Sequence, residues 1–124
     1  MRLRDLDAEF VGQYTVGPPI TYRRQGDTIA GAQGVLFQCP KCATGLETGE
    51  EEGRGFVRGA HYIMVWFSNP QNAPPVPPDA IPTPARWSMA GDTLDTLTLS
   101  PSILLPGEGC QWHGYVQNGG LVDA

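Results

Sequence analysis

The chain has 124 residues and a formal charge of −5, with a pI near 4.8. Sixteen glycines and twelve prolines make up nearly a quarter of it, about double their usual share of roughly 12%. Both residues interrupt helices, which excludes a helical bundle. Charged residues are only 17%, against roughly 25% in an ordinary domain, which excludes a solvated disordered chain.

The length is that of one domain. The charge is uneven: residues 63–124 carry one basic group, Arg86, against five acidic ones. Phosphate-backbone binding needs clustered Lys and Arg, so nucleic acid is not the expected partner. No apolar run approaches the roughly 20 residues that span a bilayer. Met1-Arg2-Leu3-Arg4-Asp5 is followed by no apolar signal region, so the expected location is a cytoplasm.

Residues 1–33 read as a loosely structured arm packed on the domain. Leu3, Leu6, Phe10 and Val11 are spaced as one apolar face of a short helix, which Gly17-Pro18-Pro19 would end. Gly34–Gln38 reads as a strand that runs into Cys39. The segment 43–59 is rich in Gly and Glu, and its acidic run Glu50-Glu51-Glu52 reads as a hydrated hairpin tip or loop. His61–Phe67 is the strongest strand, nearly all apolar, and is expected to be central and buried on both faces.

The proline-rich stretch 69–84 lacks most of the N–H groups a sheet needs and reads as an extended, stiff surface connector. Arg86–Met89 opens a new strand, turned by Gly91-Asp92. Leu97-Thr98-Leu99 alternates as a half-buried strand does. Pro101 and Pro106 bracket Ser102–Leu105. Trp112–Val122 reads as a hairpin, with Asn118-Gly119 at its two-residue turn. The expected architecture is mainly β: one small antiparallel domain of about five to seven short strands, with residues 34–124 forming its body.

Three cysteines are an odd number for a disulfide framework. Their spacing offers another use. Cys39-Pro40-Lys41-Cys42 and Cys110-Gln111-Trp112-His113 are both pairs separated by two residues. A tight turn lets such a pair converge on one ion while backbone amides point at the sulfurs. Together they make a complete Cys₃His set that leaves no cysteine over. The expected ligands are Cys39, Cys42, Cys110 and His113, holding one Zn²⁺ per chain. Four protein ligands fill the tetrahedral shell, so the zinc is expected to be structural, stapling the first strand of the body to the last hairpin.

His61 is the other candidate ligand, although its place at the head of a strand favours a core or edge role. Other chemistry finds little footing. The His-x-Glu of a nucleobase deaminase is absent, as are a phosphate-binding loop with lysine and a His-Glu-x-x-His pair. His61 and Ser102 are the weak candidates for catalysis, as part of a metal-dependent hydrolase. Ser100 and Ser102 otherwise suit a strand edge and a turn.

The blocks Trp87-Ser88-Met89-Ala90-Gly91-Asp92, Leu97-Thr98-Leu99-Ser100-Pro101-Ser102-Ile103 and Cys110-Gln111-Trp112-His113-Gly114-Tyr115-Val116-Gln117-Asn118-Gly119 carry a resemblance. Over residues 34–120 the chain resembles a family of small proteins of unknown function from tailed phages, prophages and some bacteria. Its phage members often bear the label "ammonia monooxygenase". That label implies membrane spans and a redox metal site, which these residues do not supply. The resemblance implies a compact β fold, zinc at Cys39, Cys42, Cys110 and His113, and a phage or bacterial source. It implies no activity. The expected function is a zinc-stapled structural or protein-interaction module. Its partner would belong to a phage structural or accessory complex, in the bacterial host cytoplasm or in the virion. The alternatives are a zinc-dependent hydrolase and, less favoured by the charge, a nucleic-acid-binding zinc ribbon.

Overall fold

A computed structural model describes residues 1–51, 53–81, 85–105 and 110–124. Glu52 of the acidic run, Pro82 and Pro84 of the proline stretch, and Pro106 lie outside the described residues. The chain opens with a 3-10 turn, Leu3–Asp5, then runs through β1 (Glu9–Thr15), β2 (Thr21–Arg24) and β3 (Ala32–Gln38). A one-turn helix α1 (Pro40–Ala43) precedes β4 (Thr48–Glu51), β5 (Arg54–Val57) and β6 (Tyr62–Trp66). Beyond the proline stretch come β7 (Ser88–Ala90), β8 (Thr98–Ser100), β9 (Ile103–Leu104), β10 (His113–Gln117) and β11 (Gly120–Asp123). The fold is mainly β, and among the described residues the named strands all pair antiparallel, with one isolated parallel bridge between Phe67 and Trp87. The eleven strands among the described residues exceed the five to seven expected, because several two- to four-residue pairings carry too little pattern to read.

The main sheet has the order β2-β1-β3-β6. Its side chains alternate with period two. Phe10, Val35, Phe37, Ile63 and Val65 face one side. There they meet Met89, Leu94, Leu97, Leu99, Ile103, Trp112 and Val116 from the β7-β8 ribbon, its loop and the β11-β10-β9 sheet. Val11, Leu36 and Trp66 face the other side. Both faces of this sheet are covered, so all seven residues of β3 are buried.

Three expectations are corrected. Residues 1–33 are no loose arm: β1 lies inside the main sheet, and Leu3, Leu6, Phe10 and Val11 are all fully buried. Their spacing mimics a helix, but Leu3 and Leu6 belong to a turn. Phe10 and Val11 point to opposite faces of a strand. Secondly, the His61–Phe67 strand, as β6, stands at the sheet edge and not its centre. Its apolar run reflects cover from elsewhere. Phe67 bridges to Trp87, whose N–H donates to the Trp66 carbonyl at 3.0 Å.

Thirdly, residues 69–81 of the proline stretch are docked on the main sheet and are not a bare surface connector. Val76 and Ala80 are buried against Trp66. Gln33 donates to the Pro74 carbonyl at 2.8 Å, and the Trp66 indole N–H donates to the Ile81 carbonyl at 2.9 Å. Prolines leave carbonyls without neighbouring N–H groups, and side chains supply the missing donors. Arg86 supplies one for Pro77 at 2.8 Å.

The acidic segment forms the β4–β5 hairpin, as its reading as a hairpin tip suggested. The last hairpin turns at Asn118-Gly119, both at positive φ, 47° and 73°. This is the left-handed pair that a two-residue turn of this type requires. No helix among the described residues is long and apolar enough to cross a membrane.

Candidate metal centre

The first knuckle is built by the end of β3. Cys39 is the N-cap of α1, and Pro40 takes the first helical position, where its missing N–H costs nothing. One helical turn then brings Cys42 back beside Cys39. The Ala43 N–H closes the turn on the Cys39 carbonyl at 3.0 Å. Backbone N–H groups of Lys41 and Cys42 donate to the Cys39 sulfur. This is the knuckle arrangement that the two-residue spacing implied.

Cys110 approaches from the other end of the chain. Gln111 has φ of 48°, which turns the chain so that Trp112 enters the core and Cys110 faces the first knuckle. The Trp112 ring meets Phe37 edge-on at 6.4 Å, and its N–H donates to Asp123 at 3.0 Å. The Trp112 backbone N–H donates to the Cys110 sulfur. Cys39 Sγ and Cys110 Sγ lie 3.4 Å apart.

The histidine that joins the three thiols is His61 and not the expected His113. Strands β3 and β6 pair with Phe37 opposite Ile63 and Gln38 opposite Tyr62. One step further, the Cys39 N–H donates to the His61 carbonyl at 2.8 Å. His61 thus faces Cys39 across the sheet end, with Nε2 3.0 Å from Cys110 Sγ. One ligand atom each from Cys39, Cys42, His61 and Cys110 lies within 4.8 Å of all the others. Tetrahedral zinc–thiolate bonds of roughly 2.3 Å hold sulfurs about 3.8 Å apart, and the 3.4 Å between Cys39 and Cys110 is close to that value. This Cys₃His cluster fits a metal ion such as zinc.

His113 is set apart by strand alternation. Trp112 is buried, so His113 falls on the exposed face of β10, with Tyr115 and Gln117. There its Nε2 lies 3.1 Å from Ser102 Oγ. The Trp87 indole N–H donates to the Ser102 carbonyl at 3.2 Å. Ser102 is therefore beside His113 and Trp87, while His61, the other weak catalytic candidate, stands in the thiol cluster. Among the described residues no carboxylate bonds to His113.

The local chemistry divides the three thiols. Burial pushes Cys39 up to about 12, because a thiolate there is poorly solvated. Burial also raises Cys42. Burial acts to raise Cys110 as well, but hydrogen bonds from His61 and from the Trp112 N–H outweigh it. They draw Cys110 down to about 6. One thiolate is therefore already favoured at neutral pH, and a bound cation would supply the charge that stabilises the other two.

A second concavity, of about 420 Å³, is lined by Asp7, Glu9, Glu51, Arg54, Phe56 and Tyr62. Its charges are largely matched internally. Arg54 lies 3.0 Å from Glu9, and Arg24 pairs with both Glu9 and Asp7 while its guanidinium stands over the Tyr62 ring. No family model, curated protein or solved structure matches the chain.

Proposed function

We propose that the protein is a zinc-stapled structural and interaction module, with one Zn²⁺ per chain held by Cys39, Cys42, His61 and Cys110. The convergence of these four side chains from three separate segments carries the reading. Three thiols and an imidazole suit zinc better than the oxygen-preferring cations. Four protein ligands fill its preferred shell, which suits a structural role. Cys39 belongs to the end of the main sheet and Cys110 to the approach to β10, so the ion joins the two layers of the fold. The resemblance to phage and prophage proteins directs the search for a partner to phage-encoded assemblies.

Metal analysis of freshly purified protein tests the reading. About one equivalent of zinc per chain is expected, with a lower thermal midpoint after chelation. His61→Ala is expected to weaken zinc binding strongly, whereas His113→Ala leaves stoichiometry unchanged. Substitution with Co²⁺ gives a visible spectrum that reports tetrahedral thiolate ligation. Metal content near zero in reduced protein, or a Co²⁺ spectrum lost in His113→Ala and kept in His61→Ala, overturns the assignment.

A further inference from the structure

Every described sheet ends in strands that have a strand partner on one side alone, and two of these, β2 and β4, match each other in length and oppose each other in charge. β2 is the outer strand of the main sheet, and β4 is the outer strand of the β4–β5 hairpin. An open edge presents alternate N–H and C=O groups to any chain that can lie alongside. The two edges are of equal length, four residues each, and nearly all their residues are exposed. Their charges are opposite. β2 reads Thr21-Tyr22-Arg23-Arg24 and β4 reads Thr48-Gly49-Glu50-Glu51.

Arg24 is engaged by Glu9 and Asp7 within the chain. Arg23 and Glu50, by contrast, make no ion pair among the described residues. Neither edge carries the proline with which edges are commonly blunted. Val16 and Ile20, in the β1–β2 connection, are both more than half exposed.

We propose that the β2 edge of one copy of this chain pairs with the β4 edge of a second copy. An antiparallel register sets Arg23 opposite Glu50 and Tyr22 opposite Glu51. Backbone bonds across the seam supply affinity, and the Arg–Glu pair selects β4 over a second β2. The two edges differ, so the contact either closes reciprocally about a two-fold axis or propagates from chain to chain. The proposal does not rest on the metal reading, because neither edge contains a ligand.

Sedimentation velocity over a concentration series at low and high salt tests it on the full chain, with metal content determined in the same samples. A mass above that of the monomer is expected to grow with concentration and to fall with added salt. Arg23→Glu and Glu50→Lys are each expected to raise the dissociation constant roughly tenfold, and the double variant to recover association by reversing the pair. Both residues are exposed, so unchanged thermal midpoints are expected. The milder Arg23→Gln and Glu50→Gln replace any variant that fails to fold. A chain that stays monomeric throughout overturns the proposal. So does association indifferent to both reversals, a response to Arg23→Glu without one to Glu50→Lys, or a double variant that does not recover.

Discussion

The thiols of the cluster are unequal, and the inequality has measurable consequences. In metal-free protein the Cys110 side chain, drawn down to about 6, is largely thiolate at pH 7, while burial keeps Cys39 and Cys42 protonated. Alkylation of chelated, reduced protein is expected to label Cys110 first. Peptide mass spectrometry reads the order, and faster labelling of Cys39 contradicts it. The sign for stability follows. Cys110 is depressed on folding, so its contribution is present above the ordinary thiol range and is lost as pH falls through about 6. Cys39 is raised, so its contribution is present below that range and is lost as pH rises toward 12. Metal-free protein should therefore lose stability on both sides of the ordinary thiol range, as pH falls through about 6 and as it rises toward 12, which thermal melts across pH will show. Loaded protein should lose its ion on acidification, because protons compete for every ligand.

Glycines and one arginine decide how the elements meet. A Cβ at Gly34 of β3 would strike the Val65 carbonyl and the Trp66 ring, so Gly34→Ala must push β6 away. A loss of about 2–4 kcal/mol is expected in chemical denaturation, comparable with overpacking at a buried site. Gly119 has φ of 73°, and a Cβ there would lie 2.5 Å from the Leu94 carbonyl. Gly119→Ala thus combines strain with a clash and should cost a similar amount. Arg86 holds the proline stretch through the carbonyls of Pro77, Pro78 and Ala80. Arg86→Ala is expected to destabilise by about 1–3 kcal/mol and to hasten proteolysis within residues 69–81. An unchanged cleavage rate would show that Val76 and Ala80 suffice to hold it.

Elements with strong local signals were legible in the sequence. The apolar run after Gly34, the alternation at Leu97–Leu99 and the Asn118-Gly119 turn all appear where expected. The helical reading of residues 3–11 failed because apolar spacing alone does not distinguish a turn plus a doubly buried strand from a helix. The central placement of His61–Phe67 failed for a related reason. Covering by Trp87 and the docked proline stretch makes an edge strand as apolar as a central one.

At the scale of the molecule, the cluster joins positions 39 and 110 across most of the chain, and closing so long a loop restricts the unfolded state. The large buried cluster around Phe10, Phe37, Phe67 and Leu97 includes Cys39 but consists mostly of aliphatic and aromatic side chains, whose packing needs no ion. Chelation is therefore expected to loosen the sheet ends near Cys39, His61 and Cys110 before the β1–β3 pairing. Hydrogen exchange after metal removal should rise first at residues 39–43, 61–62 and 110–113. Uniform loss of protection would show that the ion holds the whole fold.

Composition and spacing alone determined that this chain is a turn-rich β protein and that its three cysteines act together. Both are local properties: glycine and proline restrict the backbone where they stand, and a two-residue gap folds a cysteine pair into a knuckle whatever surrounds it. The identity of the histidine was decided only by tertiary structure. His113 has the right spacing, but the burial of Trp112 turns it to the outer face of β10. His61 has no spacing signal, yet the β3–β6 register carries it to Cys39. Register is set by the fit of two whole strands and their cover, and a shift of one residue would have put His61 on the opposite face.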